Sequence, residues 1–112
     1  MDPAIDVLHA ALNGLMSRQT VIANNIANAS TPGFQASQVD FETALRQAMQ
    51  AGAPAPMDAA VVSPTGAPSN QDGNNVNLEA DTMSLADTEL RYQAMVDAMN
   101  GQFQILSTSI QG

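Results

Sequence analysis

The sequence predicts an all-α protein: two long terminal amphipathic helices packed as a coiled-coil-like hairpin, with a short helix and a flexible Pro/Gly-rich middle segment between them. Three observations carry this. Ile5, Leu8, Leu12, Leu15, Gln19, Ile22, Ile26 and Ala29 follow one another at alternating spacings of three and four, which is a heptad stripe on one helix. From Leu78 to the end there is no Pro, and a second stripe runs through Leu85, Tyr92, Met95, Met99, Phe103, Leu106 and Ile110. Residues 51–77 hold four of the six Pro and three of the seven Gly, a linker composition. The expected divisions are 1–34, 35–77 and 78–112, together one domain.

The first helix has a start and a stop. Asp2 can accept from free first-turn amides, and Pro3 loses nothing at the first helical position. Pro32 pushes Thr31 out of helical dihedrals, and Gly33 permits a turn. A helix of that length is a rod of about 40 Å, and with one apolar stripe it needs a partner. Gly14 in mid-helix marks either a close approach by another helix or a merely tolerated residue. After the turn, Asp40 can cap a short helix whose Phe41, Ala44, Leu45, Ala48 and Met49 share a face, ending at Gly52. Asp72 and Gly73 propose a turn. Asn77 is a cap for the last helix, with Glu79 and Asp81 in its first turn, where the helix dipole favours negative charge.

Composition excludes several functions. Eleven acidic residues face three Arg and no Lys, for a formal net charge of -8, which argues against binding nucleic acid or anionic lipid. There is no Cys, so neither disulfides nor thiolate metal sites can form, and the lone His9 is a poor ligand. DGNNVNLEAD has the wrong Gly placement and acidic spacing for an EF-hand calcium loop. No apolar run is long enough for a membrane span, and no basic segment followed by an apolar core announces a signal peptide. Nucleophile–base pairs and phosphate-cradling loops are missing, so neither an enzyme nor a cofactor is expected. Ala and Met supply much of the apolar content, so the core is thin and neighbouring chains become a source of stability.

Asn24 and Asn28 lie about 40° apart on the first helix, with Asn25 on the flank. Three Asn in five positions are weak helix formers. Either they are solvated amides at a fraying end, or they bond to a neighbouring subunit.

NNIANASTPGF, at Asn24 to Phe34, resembles the N-terminal signature of the axial proteins of the bacterial flagellum: rod, hook and hook-junction subunits. Arg18 to Ala23, QVDFETAL, DGNNV at Asp72 to Val76 and ELRYQAM at Glu89 to Met95 resemble, in order, the proximal-rod members. The resemblance implies export through the flagellar type III gate without a cleaved signal. It also implies polymerisation in the periplasm into a helical tube, with the terminal helices packed coaxially around a channel and the rod carrying torque. The implied partners are copies of the chain itself, other proximal-rod subunits, the adaptor FliE and the export gate. Asn24, Asn25, Ile26, Ala27, Asn28, Thr31, Pro32 and Gly33 would then shape the end of the inner helix and its contacts between subunits. The competing expectations are another axial subunit, or a helical export chaperone or adaptor.

Overall fold

Five elements follow in chain order: α1 (Pro3–Ala27), β1 (Ser37–Val39), α2 (Phe41–Gln50), β2 (Val62–Pro64) and α3 (Leu78–Gln111). They come from a computed structural model that describes residues 3–50 and 62–111. The expected cap at Asp2, the stop at Gly52 and the first part of the middle segment lie outside the described residues.

The two long helices form where the stripes predict them. α1 is shorter than its stripe: it ends at Ala27, before Ala29, because the Asn28 backbone amide is shared between the carbonyls of Asn24 and Asn25 and a run of turns follows. α3 begins where Asn77 caps it, its side-chain oxygen accepting from the Ala80 amide at 3.0 Å. Asp40 caps α2 in the same way through the Thr43 amide at 3.1 Å.

α1 and α3 lie side by side in opposite directions. Ala10, Ala11 and Leu15 of α1 gather with Phe41 of α2 into the core, and Ala44, Leu45, Tyr92 and Met95 pack against it. Leu15 is fully buried, a contribution of about 1.5–3 kcal/mol for a Leu side chain. The small residues Ala10 and Ala11 let α2 sit close to α1, and Gly14 on the same side is buried. The molecule is elongated, 64 × 25 × 14 Å, as expected of one thin layer of helices.

One feature departs from a purely helical chain. Ser37–Val39 and Val62–Pro64 pair antiparallel, with Ser37 opposite Pro64, Gln38 opposite Ser63 and Val39 opposite Val62. The expectation of a wholly flexible middle therefore fails over its second part. Val39 is buried at one end of the pairing and Thr65 donates its amide to the Ala36 carbonyl at 3.0 Å just beyond the other, so the chain gains both apolar burial and ladder bonds there.

Candidate subunit interface

The apolar seam is asymmetric. On α1, Ile5, Leu12, Leu15 and Ile22 are buried, while Leu8 and Ile26 are half-buried. On α3, Leu85, Tyr92, Met95, Met99 and Leu106 are half-buried, whereas Phe103 and Ile110 are exposed, Ile110 at 84%. The seam is thus closed along most of α1 and open at the far end of α3. Its most buried residue on α3 is Thr88, at 1%, which stands between Leu85 and Tyr92 at the spacing the stripe requires. Its hydroxyl donates to the Ser84 carbonyl at 2.7 Å, so the polar atom is satisfied within the helix and the methyl can face the core. The hydroxyl hid it from an apolar count, although its position, three after Leu85 and four before Tyr92, was the available signal.

Of the signature residues, Asn25 turns inward. Asn25 is 1% exposed; its amide donates to the Ser37 carbonyl at 2.8 Å and its oxygen accepts from the Ser37 amide at 3.1 Å. Neither solvated nor directed outward, Asn25 differs from both expectations because β1 runs alongside the end of α1 and needs a partner for its backbone. Asn28 donates to the Asn24 carbonyl at 2.8 Å and accepts from the Thr31 hydroxyl at 3.1 Å. Asn24, Thr31 and Pro32 are exposed, and Gly33 turns with φ of 76°. Opposite them, Asn74 donates to the carbonyls of both Asn28 and Thr31 at 2.8 Å. Asn75 accepts from the Ala36 amide at 2.6 Å. The Gly33 amide donates to the Asp72 carbonyl at 2.8 Å. DGNN is therefore the lock into which the TPG turn fits, a pairing that separate reading of the two motifs did not reveal.

Charge joins the three helices at one point. Glu42 Oε1 accepts from Arg91 Nη1 at 2.6 Å and from Arg18 Nη1 at 3.2 Å, and Arg91 Nε also pairs with Asp87 Oδ2 at 3.0 Å. Burial works to raise the Glu42 pKa, but its backbone hydrogen bond and the two guanidinium groups outweigh it and leave the carboxyl below its ordinary range. Asp40 is likewise lowered, first by its bond from the Thr43 amide. Asp81 goes the other way. It lines a cleft of about 360 Å³ with Arg18, Ile22, Ser37, Val39 and Ser84, its Oδ2 has no partner, and burial raises its pKa against a bond from Asn25.

No group of acidic or His side chains among the described residues could hold a metal. What this geometry builds is a narrow helical body with unsatisfied apolar surface. The family profile described as Flagella basal body rod protein matches residues 5–35, the span of α1 and the signature turn. Along the full length, the chain is 32% identical to "Flagellar basal body rod protein FlgB" of Escherichia coli strain K12, covering 99% of this chain and 95% of that one. The chain belongs to the FlgB family of flagellar basal body rod proteins. The FlgB of Bacillus subtilis strain 168 is 34% identical over 96% of this chain and 93% of its own. That of Cereibacter sphaeroides is 32% identical over 86% and 84%. As a FlgB-family chain it is a structural subunit of the basal body rod and not an enzyme, and among the described residues no helix is long and apolar enough to cross a membrane.

Proposed function

We propose that this chain is a proximal-rod subunit whose terminal helices, paired as a coiled-coil-like hairpin, polymerise into a helical tube that transmits torque and encloses the export channel. The observation that carries the reading is the open end of the α3 seam. Phe103 and Ile110, both seam residues, are 48% and 84% exposed, and copies of the same chain can cover them.

On this reading the chain travels through the flagellar export gate without a cleaved signal and assembles in the periplasm. There it meets the adaptor FliE below and other proximal-rod subunits above. Asn24, Thr31 and Pro32, exposed at the signature turn, are free to touch a neighbour, while Asn25 shapes the turn from inside. Deleting the gene tests this: basal bodies without rods and non-swimming cells are expected, with both defects reversed when the gene is restored. Intact rods in the deletion strain would end the reading.

A further inference from the structure

Asp81 stands half-buried in the first turn of α3, and its Oδ2 is the one buried side-chain oxygen or nitrogen without a hydrogen-bond partner among the described residues. The Asn25 amide bonds to the same carboxyl, yet no cation among the described residues forms an ion pair with it. Arg18 and Arg91 are both held by Glu42. A buried carboxylate left in this condition costs the single chain stability, and it asks for an explanation outside the single chain.

The residue lines the cleft of about 360 Å³ that lies between α1, β1 and the starts of α2 and α3. Three carboxylates, Asp40, Glu42 and Asp81, line it against one guanidinium, that of Arg18. Asp40 is occupied by the Thr43 amide and Glu42 by its two Arg, so Asp81 alone has an oxygen to offer. Rotation of a carboxyl about χ2 is broad and two-fold, which lets Asp81 turn that oxygen towards the cleft. Ile22 and Val39 supply an apolar wall. A side chain with a methylene stem and a cationic head fits this lining, its stem along the wall and its head at the carboxylate.

The chain itself is a poor source of that cation. It has no Lys, and of its three Arg only Arg46 makes no ion pair among the described residues. Arg46 stands on α2 close enough for its charge to help lower the Asp40 carboxyl, hence beside the same cleft. A copy delivering its Arg46 here would set like face against like face, a two-fold contact that closes at a pair and cannot build a rod. A basic surface on a different protein is drawn instead by the formal net charge of -8.

We infer that the cleft between α1, β1 and α3 receives an Arg or Lys side chain of a different basal-body protein, with Asp81 as its carboxylate partner and Ile22 and Val39 along its stem. This rests on the rod-subunit reading and adds to it a contact with an unlike neighbour.

The test uses the full chain in cells whose own copy has been replaced. Asp81→Asn keeps the shape and removes the charge. At neutral pH the purified variant is expected to unfold at a temperature no lower than wild type, while assembled rods in cells fall about tenfold or more. Asp81→Lys is expected to stop swimming, and revertants that swim again are expected to carry Asp or Glu in place of an Arg or Lys of another protein. Arg46→Ala is expected to swim as wild type. Normal rods from both Asp81 variants would overturn the cleft contact while leaving the subunit reading in place. So would a loss of rods in Asp81→Asn that follows a loss of thermal stability, revertants confined to this chain, or failure of Arg46→Ala to swim. Swimming after deletion of the gene itself would overturn both.

Discussion

The side-chain amide of Asn74 donates to the Thr31 carbonyl at 2.8 Å across a sequence separation of 43 residues, and it is 1% exposed. The same amide holds the Asn28 carbonyl, and the Asn74 oxygen accepts from the Val76 amide at 2.8 Å. One buried side chain thus ties the turn where α1 ends to the segment of chain that leads into α3.

Asn74→Ala is expected to destabilise the fold by about 1–2 kcal/mol, because it removes a buried side chain and the three hydrogen bonds it makes to Asn28, Thr31 and Val76. Urea unfolding of the purified chain measures this. A midpoint unchanged from wild type would mean that water replaces the amide at no cost.

Gly73 has φ of 82°, and a Cβ there would meet the Gly33 Cα at 3.3 Å; Gly66 has φ of 69° with nothing within 4 Å. Gly66→Ala therefore carries backbone strain alone, about 1 kcal/mol, and Gly73→Ala carries the same strain plus a crowded turn. Thermal unfolding should rank Gly73→Ala below Gly66→Ala. The reverse order would show that the two turns are not pressed together.

Glu42→Gln removes the carboxylate shared by Arg18 and Arg91. Glu42 and Arg91 are well exposed, so the expected loss is modest, about 0.5–1 kcal/mol, and shrinks as salt is added. Stability that falls equally at low and high ionic strength would instead indicate a packing role.

Asp81 gives a pH signature of opposite sign to its neighbours. Its raised pKa means that the folded chain holds this proton more tightly than the unfolded one. Its contribution is therefore full below the ordinary value of 3.8 and lost as pH climbs through the raised folded value. Asp40 and Glu42, both lowered, stabilise above their ordinary 3.8 and 4.5 and lose that contribution as pH falls. Asp81→Asn should accordingly gain stability relative to wild type as pH rises from below 3.8 to neutral. A difference between the two proteins that stays constant with pH would place the Asp81 carboxyl in solvent.

Helix existence was legible because heptad spacing and caps are local signals: Leu12 and Leu15 face inward as their stripe requires, and Asp40 and Asn77 cap the helices that follow them. The β1–β2 pairing was not, since three-residue strands carry no periodicity and their partners lie across the Pro/Gly segment. Asn25, Asn74 and Asn75 look solvent-seeking in a sequence, and only tertiary placement beside unpaired backbone groups makes them interior residues.

Density for the assembled rod at side-chain resolution tests the central claim most directly. Phe103 and Ile110 of each copy are expected to lie against a neighbouring copy, with α1 and α3 still paired through Leu15 and Met95. A rod in which Phe103 and Ile110 face solvent, or in which α1 and α3 of one chain have separated, would contradict it.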